Sequence, residues 1–356
     1  MASKLTTSNR AGWLFALPGF GLIALFIIVP FFFALGLSLT NQRLISPNPT
    51  EYVGLQNYVD LLDLGVVTLE PLRDDAGNLV RDEAGNLEYP RVRTITRNED
   101  YPQYAGMQEW FRWYSGDNAK VVIARDVVFM KALANTLTFV AVVAPVQAGF
   151  ALLLALLINQ RVRGINIFRT IYFMPVVVSI VVVSLLWRFI YADDDGLLNN
   201  LLAAISFGAW QPIDWLGNTS TALGSIIAMS IWQAVGFHMV IWLSGLQTIS
   251  PTLYEVATIE GASKWQTFRY VTWPGLRNTA VLVLIVITMQ AFAVFAQIDV
   301  MTGGGPLDST QTLVFQAVER GYGKQDISGG STISVILFVL VLSISLVQRY
   351  LTRERS

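Results

Sequence analysis

The chain has 356 residues, 53% hydrophobic and 14% charged, with a formal net charge of -1. Soluble domains carry roughly a quarter charged residues, so the deficit marks a membrane protein, and the near-zero charge gives no footing for nucleic acid. The lack of cysteine excludes disulfides, thiolate metal sites and cysteine nucleophiles, and the single histidine, His238, excludes a His-rich metal centre made by this chain alone.

Lys4 and Arg10 precede an apolar run from Ala11 to about Leu39, with the interfacial residue Trp13 near its start. The run is too long for a signal-peptide core and is read as a retained first span, in which Pro18 and Pro30 are tolerated because neighbours can re-satisfy the freed backbone groups. Residues 41–131 have a soluble composition and form an expected extracytoplasmic α/β insert. Within it Asp75-Ala76-Gly77-Asn78-Leu79 recurs as Glu83-Ala84-Gly85-Asn86-Leu87. The Gly-Asn pairs are turn chemistry and the flanking Leu79-Val80 and Leu87-Glu88-Tyr89 suit short strands, which predicts a β meander. Met107, Trp110, Phe111 and Tyr114 have helical spacing, which predicts a short amphipathic helix that covers the meander, docks a partner or lies on lipid.

Five further apolar runs are long enough to cross the hydrocarbon core: approximately Ala132 to Ile158, Ile167 to Tyr191, Ala222 to Leu246, Thr279 to Ile298 and Ile333 to Leu351. Six spans put both termini on one side. The basic residues of short loops choose which: Lys4, Arg10, Arg161, Arg163, Arg169, Lys264, Arg269, Arg277, Arg349, Arg353 and Arg355 fall on one side, against Arg320 and Lys324 on the other. Both termini are therefore expected in the cytoplasm. The expected organisation is a first helix in residues 1–40, the insert at 41–131 and a five-helix core at 132–356.

An ionisable residue at membrane depth is usually functional. Here Arg188 can snorkel and His238 is the only mid-span titratable group, which argues against a proton-driven pump. The fourth and fifth spans instead carry uncharged polar and aromatic residues, among them Trp232, Gln233, Gly236, Phe237, Thr288, Gln290, Phe292 and Gln297. Amides beside rings suit a neutral polyhydroxylated solute; the same amides and hydroxyls also serve as interhelical glue.

Between the fourth and fifth spans lies a polar island, Ser250 to Pro274. Ser250-Pro251 reads as an N-cap and first-turn proline, with Leu253, Val256 and Ala257 on one face. Gly261 reads as a break, Ser263 and Gln266 as a capping box, Trp265 and Phe268 as one face of a second helix, and Pro274 as its end or bend. Read from residues alone, the island is either a connector or a docking element.

Glu255-Val256-Ala257, Glu260-Gly261-Ala262, Phe268, Val271 and Pro274 resemble the EAA motif of binding-protein-dependent ABC importer permeases. Val53-Gly54-Leu55-Gln56-Asn57-Tyr58, Asn135-Thr136, Pro175 with Trp187, Gly196-Leu197-Leu198-Asn199, Trp232-Gln233-x-x-Gly236-Phe237 and Thr302-Gly303-Gly304-Gly305-Pro306 resemble the same family in order. The set points to the branch that includes the MalF-type subunit of maltose importers and the A subunit of glycerol-3-phosphate importers.

The resemblance implies an all-α integral membrane protein with the six transmembrane helices of the type I ABC importer permease fold, in a bacterial or archaeal cytoplasmic membrane. Its implied function is import of a sugar or sugar-like solute delivered by an extracytoplasmic binding protein. The implied partners are a second homologous permease and a dimer of ATPase subunits, which would hold ATP and Mg; no cofactor, metal or catalytic residue is expected in this chain, and no G-x-x-x-x-G-K-[ST] occurs in it. Glu255, Ala257, Glu260, Gly261 and Ala262 would form the coupling helix against the ATPase. Gln233, Gly236, Phe237, Met239, Thr288, Gln290, Ala291 and Val294 would line the substrate path. Val256, Glu260 and Trp273 depart from the motif's alanine, aspartate and leucine, and Ala291 and Val294 stand where maltose-type proteins carry amides, so maltose itself is not implied. The alternatives are a stand-alone secondary transporter, which would show inverted repeats, broken helices and midplane ion sites, an intramembrane enzyme, or an ABC permease for a glycerophosphodiester or polyol.

Overall fold

The computed structural model describes residues 2–160, 164–193 and 195–352, with side chains described from residue 12 to 350. Arg161, Arg163, Arg353, Arg355 and the side chains of Lys4 and Arg10, used above for orientation, lie outside these residues. The chain divides into two compact units, Met1–Leu62 with Ala317–Phe338, and Asp63–Gln316 with Val339–Ser356.

In the first unit, α1 (Ala2–Ile23) passes through a π turn (Ala24–Ile28) into α2 (Val29–Leu37). Residues Gly12–Leu37 are long and apolar enough to cross a membrane. Pro30 follows the π turn within this continuous helix, and such a local π adjustment accommodates the backbone bond that its missing N–H removes. The free carbonyls at the end of this span are capped by the following element. Asn57 Nδ2 donates to Ser38 O at 2.8 Å and Thr40 O at 2.7 Å, and Tyr58 Oη lies 2.7 Å from Ser38 Oγ. Both residues stand on α3 (Gln56–Leu62), which gives the Gly-Leu-Gln-Asn-Tyr stretch a capping role, with Gly54 at φ +61° supplying the turn.

The second unit begins with the insert. Its three-stranded antiparallel sheet has the order β1-β3-β2, from β1 (Leu64–Leu69), β2 (Gln108–Ser115) and β3 (Asn118–Ala124). Val67, Leu69, Ala119, Val121 and Ile123 alternate onto one face and bury against Met107 and against Val92 of α4 (Val92–Thr96). Two expectations are corrected here. The repeated Gly-Asn segments form no strands, only the bridges Arg73 to Leu79 and Arg81 to Leu87. Each is instead closed by an aspartate: Asp74 Oδ1 accepts from Asn78 N and Asp82 Oδ1 from Asn86 N, both at 2.8 Å, while Gly77 and Gly85 take φ +83° and +84°. The expected amphipathic helix from Met107 to Tyr114 is strand β2. A bulge between Glu109 and Phe111 interrupts its period of two, and one added residue gives the aromatic positions their helix-like spacing.

The core then runs through α5 (Val127–Ile158), α6 (Ile165–Val177), α7 (Ile180–Ile190), α8 (Leu197–Ile205) and α9 (Ala222–Thr248). The island follows as α10 (Pro251–Ile259), α11 (Lys264–Thr267), a π turn (Phe268–Thr272) and α12 (Trp273–Gly275). Beyond it come α13 (Arg277–Phe292), α14 (Ala296–Met301), α15 (Leu313–Val318) and α16 (Ile327–Thr352). Among the described residues, four helices meet the length and apolarity of a span, and two bent pairs bring the number to six if each pair is one span. The third span, expected as one helix from Ile167 to Tyr191, is α6 and α7 bent by 99°, and the fifth is joined to the island's second element by a 67° bend. It ends at Phe292, and the chain resumes as α14 only at Ala296.

α5 and α9 pack closely, tied by Trp242 Nε1 donating to Ala148 O at 3.1 Å. Gly236 sets the approach of α9 to α6, since a Cβ there would lie 1.9 Å from Tyr172 O.

The N–H bonds from Asn78 and Asn86 hold the Asp74 and Asp82 carboxyls below the ordinary aspartate range. A folded pKa below the unfolded one stabilises where the group is charged, so the contribution is full above the ordinary range and is lost as pH falls through the folded value. Protection of the Asn78 and Asn86 amides against hydrogen exchange, relative to the intrinsic rate at each pH, should therefore hold from neutral pH to about 4, and be smaller in an Asp74→Asn, Asp82→Asn double variant at neutral pH.

Candidate functional site

Two chain breaks border one cavity. α6 ends at Val177 and α7 starts at Ile180; α13 ends at Phe292 and α14 starts at Ala296. Val176, Ile180, Ala291, Val294 and Gln297, from both breaks, line a cavity of about 340 Å³ together with residues of α5 and α9. Carbonyls freed by the breaks find side chains: Gln233 Nε2 reaches Pro175 O at 3.5 Å, and Thr312 Oγ1 donates to Val294 O at 3.1 Å.

The lining is uncharged. Gln147, Gln233, Gln290 and Gln297 bring four amides, Ser230 a hydroxyl, and Phe139 and Phe237 aromatic rings. The Ser230 hydroxyl is buried without a hydrogen-bond partner among the described residues. Gln147 Nε2 lies 2.8 Å from His238 Nδ1, which is also 3.0 Å from Ala234 O, so His238 is a packed residue of the α5–α9 contact. Such a lining can exchange hydrogen bonds with hydroxyls and stack on a C–H face, and has no charge with which to bind an ion firmly.

Of the eight path residues named from sequence, Gln233, Phe237, Gln290, Ala291 and Val294 line the cavity. Gly236, Met239 and Thr288 do not. Gly236 is consumed by the contact with α6, Met239 is fully buried, and Thr288 Oγ1 accepts from Gln348 Nε2 of α16 at 2.8 Å. Gln147 and Ser230 were missed, because a lone amide in an apolar run and a serine on an apolar helix carry no local signal.

On the island, Ser263 and Gln266 form the reciprocal capping box, with Ser263 N donating to Gln266 Oε1 at 2.7 Å and Gln266 N to Ser263 Oγ at 3.3 Å. Gly261 turns the chain at φ +71°. Ser250 has N-cap geometry, but its hydroxyl pairs with Thr252 Oγ1 rather than with a backbone N–H. The faces of α10 also differ from expectation. Tyr254 and Ala257 turn inward, with Tyr254 Oη 3.2 Å from Thr272 Oγ1, while Leu253, Val256 and Ile259 are exposed beside Glu255 and Glu260. Trp273 completes a run of rings: Trp265 stacks on Phe268 at 5.7 Å and Phe268 meets Trp273 at 6.3 Å.

Residues 128–356 match the family described as binding-protein-dependent transport system inner membrane component. The chain belongs to that family. The inner membrane component contains the cavity and the island within its matched residues; the insert's sheet precedes them. It is similar to the lactose transport system permease protein LacF of Rhizobium radiobacter, 33% identical over 75% of this chain and 89% of that protein. It is also similar to the trehalose/maltose transport system permease protein MalF of Thermococcus litoralis, 33% identical over 66% of this chain and 78% of that protein. A solved bacterial ABC transporter involved in import of the acidic polysaccharide alginate shares the fold, with TM-score 0.68 and 19% identity over 99% of both chains.

Cavity and packing positions should separate on substitution. Gly236→Ala should lower thermal stability in detergent by about 1–3 kcal/mol through overpacking, and Thr288→Val by about 0.6 kcal/mol through one lost interhelical bond. Gln290→Leu should leave the melting temperature within error and reduce solute uptake by the assembled transporter about tenfold, the worth of one hydrogen bond.

Proposed function

We propose that this chain is one permease half of an ATP-driven importer for a sugar or related polyol, handed over by an extracytoplasmic binding protein. The observation that carries the reading is the amide- and ring-lined cavity between the two chain breaks. The naming of relatives as lactose and trehalose/maltose permeases supports the solute class. A related second permease would complete the pore, and a dimer of ATPase subunits holding ATP and Mg would drive it. The termini and island lie in the cytoplasm and the insert outside, as the loop arginines suggest.

The island is the element on which the ATPase acts. α10 presents exposed Leu253, Val256 and Ile259 with Glu255 and Glu260, an apolar patch with a charged border suited to a protein cleft. Tyr254 and the ring run transmit its displacement to α13 through the 67° bend. Closure of the ATPase dimer would move paired islands together and tip the spans toward the outward-open state. Although two spans are broken, the cavity lining carries no ionisable side chain through which a proton gradient could be coupled.

Proteoliposomes of this chain with its second permease, ATPase and binding protein should take up the sugar only with ATP, and this chain alone should give no flux. Robust gradient-driven uptake by this chain alone would refute the reading. Glu255→Lys and Gly261→Pro should reach the membrane at normal levels yet lose most stimulation of ATP hydrolysis by loaded binding protein.

A further inference from the structure

The insert holds a second cleft, unrelated to the translocation cavity. It measures about 660 Å³ and is lined by Arg91, Arg93 and Arg97 on and beside α4, by Arg112 of β2, and by Glu109. Residues 64–125 hold ten carboxylates and eight basic residues, an excess of negative charge, yet this cleft gathers four guanidiniums against one carboxylate. That carboxylate is taken: Glu109 is bound bidentately by Arg112 at 2.9 and 2.8 Å. Among the described residues the side chains of Arg91, Arg93 and Arg97 make no hydrogen bond or ion pair.

These three are held by the fold. Val92 and Thr96 bury α4 against the sheet, which fixes the outward face on which Arg93 and Arg97, four residues apart, stand as neighbours. Like charges at that spacing repel, and an anion between them removes the repulsion. Guanidinium forks match carboxylates bidentately. Thr96 and Gln108 add neutral hydrogen-bonding groups to the same wall, and the volume suits a sugar of more than one ring rather than a bare ion.

We propose that this cleft binds the carboxylates of an acidic saccharide, so that the imported solute class includes uronic-acid sugars. The proposal rests on the sugar-importer reading and on the insert lying outside. The cleft would hold the acid groups of the solute electrostatically as the binding protein hands it over, and the uncharged amides of the translocation cavity would then pass it on without trapping it.

Isothermal titration of the assembled transporter in detergent, with trigalacturonate, maltotriose and inorganic phosphate as probes, tests this. Trigalacturonate should bind saturably and weaken with added salt, maltotriose should give no binding that depends on these arginines, and phosphate should bind far more weakly. Arg93→Gln with Arg97→Gln should weaken trigalacturonate about tenfold or more, the worth of a charged hydrogen bond, while Lys120→Gln, a charge loss outside the cleft, should change nothing. Equal binding of phosphate and trigalacturonate, indifference to the double substitution, or loss of binding-protein docking with unchanged saccharide affinity would each overturn the proposal. ATP-driven uptake of a neutral sugar is measured separately, so the importer reading stands or falls apart from this result.

Discussion

In hydrocarbon every backbone N–H and C=O has to be satisfied within the protein, and non-helical backbone survives only where it is buried or lines a cavity. A solute path needs polar groups at the same depth. Both demands are met at one place: the interruptions at 178–179 and 293–295 border the same cavity, and Gln233 and Thr312 take up carbonyls that the helices release. Gln233 serves twice, closing a break and facing the cavity. The breaks thus supply the cavity with polarity without placing a charge in its lining, which at membrane depth would cost about 2.5–3.5 kcal/mol.

The same economy explains the family-like segments. Asn135 Nδ2 donates to Gln311 O at 3.0 Å, and Thr136 Oγ1 accepts from Leu313 N at 2.9 Å, fixing the chain after the glycine turn to α5. Asn199 donates to Asp193 O and Ile213 O and accepts from the indoles of Trp210 and Trp215. Trp187 packs edge-on against Trp232 at 5.3 Å. These residues hold the ends of spans whose backbone would otherwise be left unpaired, and none of them lines the cavity between the breaks.

The elements most legible in sequence were those with local physics. Apolar length gave the spans, Ser263 with Gln266 gave a real capping box, and Gly261 gave a real turn. The 99° bend was not legible: Pro175 can remain inside a membrane helix, and α6 does continue past it to Val177, so the break falls at Val178 and Ser179, two residue types that carry no breaking signal of their own. Strand β2 was misread because its bulge imitates a helical period. Around the cavity, residue type pointed to helices that line it but not to the lining faces. Gln290 and Thr288 are two residues apart on α13 and point to different partners, cavity and α16, a distinction set by packing alone. The four arginines of the insert's cleft lie up to 21 positions apart, and only the fold brings them together.

The central claim is that solute passes between the two breaks. Because the chain has no cysteine, single cysteines can be introduced without prior substitutions, and the decisive measurement is labelling by a small membrane-impermeant thiol reagent in the assembled transporter. Cysteines at Gln290 and Gln233 should react, with transported sugar slowing the reaction, while one at Thr288 should stay inert. Equal reactivity at Gln290 and Thr288, or no protection by sugar at either glutamine position, would contradict the account.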